Sequence, residues 1–235
     1  MNLILLFKDD FIGDGLVRLG GRRLRHVREV HRASVGDNLC VGESDGLIGT
    51  GRVTRLDVSC LEMRVKFERT PPAPLPVTLI LALPRPKFLR RLLFHISVMG
   101  AKKIILLNSF RVEKSYWHTP FLHAESIEKQ LLLGLEQACD TTMPGVLLRP
   151  LFKPFVEDEL TEIVRGTLPL LAHPDAENPC PRDQKGPVTL AVGPEGGFIP
   201  YEVEKFKACG FSAVRLGDRT LNTESAVPAL LSRIF

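Results

Sequence analysis

From residue 77 onward, short apolar and partly β-branched runs alternate with amphipathic stretches, and this alternation limits the fold more than any other feature of the chain. Strands are predicted over 77–83, 103–107, 146–151, 168–172, 188–192 and 213–216, and helices over 87–99, 120–139, 156–164, 200–209 and 223–234. Alternating elements of this kind imply an α/β fold with a mainly parallel sheet covered on both faces. Ligands are then expected near the carboxyl ends of the strands.

Residues 1–70 follow a different grammar, that of a small β-rich module. Strands are predicted over 3–7, 38–42, 47–56 and 60–67, divided by turn signals such as Val35-Gly36-Asp37 and Ser44-Asp45-Gly46. One helix, 21–32, is predicted between the first two, with Leu24, Val27 and His31 on a single face. Arg22, Arg23, Arg25, Arg28 and Arg32 then largely project from the other faces, against the single acidic residue Glu29. Such a local field with planar guanidinium groups suits RNA phosphate; a solvated helix face is the alternative. Thr70 to Pro76 holds four prolines in seven residues, stiff and poor in backbone donors. The expected organisation is a first domain at 1–70, a linker at 71–76 and a second domain at 77–235.

A second basic cluster follows the linker. Arg85, Lys87, Arg90, Arg91, Lys102 and Lys103 occur with no acidic residue among them, and Arg111 and Lys114 extend the patch. Two such clusters favour a nucleic-acid partner, and Tyr116 and Trp117 either stack on a base or pack.

Composition excludes several classes. The 235 residues carry a net charge of +4, with 44% hydrophobic and 25% charged residues, which is ordinary for a globular protein and unlike a disordered one. Cys40, Cys60, Cys139, Cys180 and Cys209 are scattered without a C-x-x-C pair, and Pro120 separates His118 from His123, so neither a disulfide framework nor a metal site is expected. The apolar start, Met1 to Phe7, lacks a basic leader, and no stretch approaches a membrane span. A cytoplasmic setting is expected.

The stretch that speaks to chemistry is Gly193-Pro194-Glu195-Gly196-Gly197-Phe198, between the predicted strand 188–192 and a helix opened by Pro200. Three glycines in five positions let a ligand approach the backbone closely. The loop lacks the Lys-Ser/Thr of a P-loop and the spacing of a dinucleotide fingerprint, and Glu195 would repel a polyphosphate. A phosphate-free, cationic nucleoside fits better; a tight turn with no ligand is the alternative.

Three segments fall at the ends of the last predicted strands: Leu171-Ala172-His173-Pro174, the Gly193 loop, and Leu216-Gly217-Asp218-Arg219-Thr220-Leu221-Asn222-Thr223-Glu224. With these residues, and with His26-Val27-Arg28 and Val35-Gly36-Asp37 upstream, the whole chain resembles the SPOUT methyltransferases. Within them it is similar to the ribosomal RNA small subunit methyltransferase E family. The resemblance implies a C-terminal α/β trefoil-knot domain behind an N-terminal PUA-like β-barrel. It also implies S-adenosyl-L-methionine as cofactor, a homodimer, and N3-methylation of a uridine of 16S rRNA in the small ribosomal subunit.

Carried onto this sequence, the resemblance places Leu171, His173, Gly193, Glu195, Gly196, Gly197, Leu216, Gly217, Leu221 and Thr223 around the cofactor. Arg219 would stabilise charge on the uracil oxygens, and Glu224 would orient that arginine, accept the N3 proton or only cap the last helix. RNA contacts are expected from Arg22, Arg23, Arg25, Arg28, Arg85, Lys87, Arg90 and Arg111. The chain departs from the family at Asn222, where arginine is common, at Val98-Met99-Gly100, where an E-L-G string is usual, and at Cys139-Asp140-Thr141. These changes bear on substrate position more than on cofactor binding. Methylation of tRNA or of a ribose 2′-hydroxyl, and a non-catalytic RNA-binding assembly role, are the competing readings.

Overall fold

The computed structural model describes residues 2–235, which form two units. One comprises the chain up to Ala73 together with Leu132–Met143, and the other Pro74–Leu131 with Pro144–Phe235.

The first unit is a curled six-stranded sheet. Its strands are β1 (Ile4–Leu6), β2 (Phe11–Gly13), β3 (Leu16–Leu19), β4 (Asn38–Glu43), β5 (Ile48–Leu56) and β6 (Leu61–Arg69), in the order β1-β4-β5-β6-β3-β2. Because β1 and β2 are the two edges, this is a half-barrel rather than a closed barrel. The sequence pattern missed β2 and β3, which are three and four residues long. They join at Asp14-Gly15, a hairpin signal, with Gly15 in the left-handed region at φ +62°. In β6, Leu61, Met63 and Val65 are buried while Arg64 and Lys66 are exposed, so only one face of the sheet is dry.

Helix α1 (Gly21–His26) continues into a π-helical turn, Val27–His31, and ends at Arg32 with φ +52°. Leu24 and Val27 reach the core as expected, but His31 is exposed. The wider π turn breaks the 3.6-residue repeat that would have brought His31 inward.

The expected linker ends early. Strand β7 (Leu75–Ala82) already includes the last two residues of 71–76, and Leu75 pairs with Ala101. Residues Leu132–Met143, expected within the second domain, group with the first unit instead. Leu132, Leu135, Cys139 and Met143 pack with Leu3, Leu5 and Ile48, and the Thr141 hydroxyl donates to Gly46 O at 2.5 Å.

In the second unit, β7 and six further strands form one parallel sheet: β8 (Ala101–Leu107), β9 (Gly145–Arg149), β10 (Leu168–Ala172), β11 (Asn178–Pro179), β12 (Val188–Val192) and β13 (Ser212–Arg215). Their order is β11-β13-β10-β12-β7-β8-β9. The helices are α2 (Pro86–Val98), α3 (Ala124–Ala138), whose residues 132–138 belong to the first unit, α4 (Phe152–Pro154) running through a π turn into α5 (Leu160–Ile163), α6 (Pro200–Ala208) and α7 (Thr223–Ile234). All five residues of β12 are buried, as a strand covered on both faces requires. The expected mixed α/β class with a mainly parallel sheet is the one observed. No helix among the described residues is long and apolar enough to cross a membrane.

Candidate active site

Sheet register assembles the site. Ala172, at the end of β10, lies opposite Val192 of β12 on one side and Val214 of β13 on the other. Three loops therefore leave the sheet side by side, at a strand spacing of about 4.8 Å. They enclose a cleft of about 270 Å³.

The first wall is the glycine loop. Gly197 N donates to Pro194 O at 2.8 Å, closing a turn in which Gly197 adopts φ +74°. A Cβ on Gly193 would stand 3.2 Å from the Phe198 ring and backbone nitrogen, so a side chain there crowds the loop. Phe198 is buried against Phe206, ring centroids 5.1 Å apart, and Phe206 also meets Phe152 and Phe211 at 5.7 and 5.0 Å. Glu195 lines the cleft, and its carboxylate accepts from Arg85 N at 3.3 Å, next to Pro86 at the start of α2.

Below the loop, Glu202 is 2% exposed and fully used. One oxygen accepts from Ile199 N at 3.0 Å, capping α6, and the other from Phe110 N at 2.7 Å. The Arg111 guanidinium donates to Gly196 O, and its stem lies against Gly196, where a Cβ would come within 3.0 Å of Arg111 Cδ.

The second wall is the segment after β13. Leu216, Gly217, Arg219, Thr220 and Leu221 line the cleft, and α7 opens with Thr223, whose hydroxyl approaches Gly193 O at 3.5 Å. The cap of α7 is Asn222, which accepts from Ser225 N at 2.8 Å. Asn222 therefore has a structural use that an arginine there would lack, and Glu224 is not needed as a cap. Arg219 is exposed and has no partner among the described residues, whereas Arg215 and Asp218 pair at 2.9 Å.

Two expected site residues stand elsewhere. Leu171 is fully buried between β12 and β13, and its neighbour Ala172 lines the cleft in its place. Glu224 does not line the cleft. Both its oxygens are held by Arg91 of α2, at 2.9 Å from Nε and 3.1 Å from the terminal nitrogen, so it does not orient Arg219. The other expected cofactor residues, His173, Gly193, Glu195, Gly196, Gly197, Leu216, Gly217, Leu221 and Thr223, all border the same space. Ala172, Pro174 and Phe198, inside the segments the sequence singles out, border it too, and so do Arg215, Ala226 and Leu230, which lie outside them.

The arginines divide into two kinds. Arg23 is spent internally, bridging both Asp10 oxygens at 2.6 Å and Leu5 O at 2.8 Å. Arg22 pairs with Glu136 at 2.8 Å. Burial pushes the Glu136 carboxyl above its ordinary range, an effect the Arg22 charge opposes. Arg25, Arg28 and Arg32 are exposed without a side-chain partner among the described residues; Arg85 and Lys87 are exposed near the start of α2, the first bound through its backbone nitrogen by Glu195 and the second in cation–π contact with Phe88. Arg90 is also exposed and stacks on Phe121, centroid distance 5.3 Å.

The site's chemistry fits a cationic nucleoside. A carboxylate stands in the cleft, the backbone is bare of side chains at the glycines, and a phosphate chain would meet Glu195. Among the described residues no cluster of three or more His, Cys, Asp or Glu is placed to hold a metal ion.

Comparison with known proteins gives a consistent picture. The ribosomal RNA small subunit methyltransferase E of Treponema pallidum is 29% identical over 236 residues, spanning 97% of this chain and 88% of its own length. Its namesake from Mycobacterium bovis is 25% identical over 218 residues, spanning 89% and 82%. The crystal structure of a ribosomal RNA small subunit methyltransferase E from Neisseria gonorrhoeae bound to S-adenosyl methionine shares the fold, with a TM-score of 0.78 at 23% identity over 99% of this chain and 95% of that one. The family model for the RNA methyltransferase domain matches residues 71–235, and the chain belongs to that family.

Proposed function

We propose that this protein is an S-adenosyl-L-methionine-dependent methyltransferase that modifies N3 of a uridine in 16S rRNA of the small ribosomal subunit, acting as a homodimer. The observation that carries the reading is the convergence of the Gly193 loop and the Leu216–Leu221 segment on one phosphate-averse cleft, in a chain of the RNA methyltransferase family. His173, Gly193, Glu195, Gly196, Gly197, Leu216, Gly217, Leu221 and Thr223 would hold the donor, largely through backbone groups. When bound, the donor supplies the methyl group and its own leaving group, so no metal or covalent enzyme intermediate is required.

Positioning the uracil edge against the methyl carbon accounts for part of the rate. The imide is nearly neutral at pH 7 and a poor nucleophile until ionised. Arg219 is the residue assigned to stabilise the anion that forms on the uracil oxygens as the N3 proton leaves to water. That its side chain has no partner among the described residues supports this role. Glu224, held by Arg91, is assigned to placing the start of α7 instead. Arg25, Arg28, Arg85, Lys87 and Arg90 are the assigned RNA contacts.

The test is transfer of labelled methyl from S-adenosyl-L-methionine to small subunits from cells lacking the protein, with the product nucleoside identified by mass spectrometry. Recovery as 3-methyluridine supports the reading. Label confined to tRNA or to ribose would replace the substrate, and failure to bind the donor would remove the enzymatic role.

A further inference from the structure

Tyr116 and Trp117, which the sequence reads as either stacking on a base or packing, are already engaged. The Tyr116 hydroxyl donates to Glu113 at 3.0 Å, Trp117 Nε1 donates to Asn108 at 2.9 Å, and both side chains are half-buried. Phe110, which no sequence pattern distinguishes, is 78% exposed.

A single exposed apolar side chain is ordinary. Phe110 differs in how it is held. Its backbone nitrogen is bound by the buried Glu202 at 2.7 Å, Val112 N donates to Ser109 O at 3.0 Å, and the next residue, Arg111, is tied to Gly196 O. The turn carrying the ring is thus fastened on one side to the start of α6 and on the other to the loop that lines the cleft. Arg85, whose backbone nitrogen is bound by Glu195 of that same loop, adds an exposed guanidinium to the neighbourhood.

We propose that Phe110 is the stacking platform for the unstacked pyrimidine that the cleft modifies, a role that rests on the function proposed above. N3 lies on the pairing edge of uracil, so a paired and stacked base hides it, and the base must leave its stack to react. Phe110 supplies a π face to replace the neighbour that the base gives up. Arg111 retains donors for the flanking phosphate.

The test uses the full chain with Phe110→Ala, Phe110→Leu and Phe110→Trp. Four quantities are measured: methyl transfer to small subunits, donor affinity by calorimetry, affinity for a uridine-containing single-stranded RNA by fluorescence anisotropy, and oligomeric mass by light scattering. Phe110→Ala is expected to weaken RNA affinity and kcat/KM by about tenfold, with donor affinity unchanged and Phe110→Trp close to wild type. Phe110→Leu, which keeps apolar area without a π face, should resemble Phe110→Ala. Wild-type behaviour of Phe110→Ala or Phe110→Leu would overturn the proposal. So would a parallel loss of donor affinity or of oligomeric mass, either of which would make the ring a support for the cleft or for a contact between copies. If the wild-type protein transfers no methyl to small subunits, the proposed function fails, while the anisotropy arm still decides whether Phe110 stacks on RNA.

Discussion

The two walls of the cleft are built in opposite ways. The Gly193–Phe198 loop is fastened at nearly every residue: by Thr223 at Gly193, by its own turn at Pro194 and Gly197, by Arg85 at Glu195, by Arg111 at Gly196, and by the aromatic cluster at Phe198. The facing segment has one exposed ion pair, Arg215–Asp218, and leaves Arg219 unpaired among the described residues. Shape is thus invested in one wall and free charge in the other. This is the division expected of a site that reads one ligand through fixed backbone and acts on a second through a single side chain.

The fixed wall rests on the aromatic cluster beneath Phe198. Phe206 is 0% exposed and touches three other phenylalanine rings, so Phe206→Ala should destabilise the protein by about 3–5 kcal/mol, read from chemical denaturation. A change below about 1 kcal/mol would mean that the cluster does not anchor the loop. Next in size, Gly193→Val places a branched side chain where even a Cβ stands 3.2 Å from Phe198, and donor affinity should fall at least about tenfold with smaller loss of stability.

A subtler change addresses the junction of the walls. Arg91→Glu should lower stability by about 0.5–1 kcal/mol, since Arg91 is 60% exposed, and the double variant with Glu224→Arg should recover most of that. Failure of the swap to recover would show that the pair does not position α7. The smallest effect is expected away from the cleft, at Glu136. Its carboxyl is raised by burial, so the folded state holds a proton in the window just above the ordinary carboxylate range, where the unfolded chain has released it. Wild-type stability should therefore fall, relative to Glu136→Gln, as pH rises through that window. The difference should stay under about 1 kcal/mol, because Arg22 compensates and is half exposed. Parallel stability–pH curves for the two proteins would contradict the assignment.

Much of this arrangement was legible in the sequence because it is local. The apolar run Val188–Val192 announces a strand buried on both faces, and the glycine spacing beyond it announces a bare backbone. What escaped was long-range pairing. Arg22 and Arg23 read as free charge, since their partners Glu136 and Asp10 stand 114 and 13 residues away. Nothing local shows that Arg111 is tied to Gly196, 85 residues away, or that Glu224 is held by Arg91, 133 residues away, rather than by Arg219. The resemblance places Leu171 at the cleft, whereas pairing of Ala172 with Val192 and Val214 brings the last residue of β10 there and leaves Leu171 buried, a pairing between strands that no single strand's sequence carries.

The most direct test of the division between the walls is Arg219→Ala, assayed for donor affinity by calorimetry and for methyl transfer to small subunits. Donor affinity should stay near wild type while kcat falls by about 100-fold or more, the loss typical of removing a preorganised charge at a developing anion. A proportional loss of both, or full transfer without the guanidinium, would contradict it.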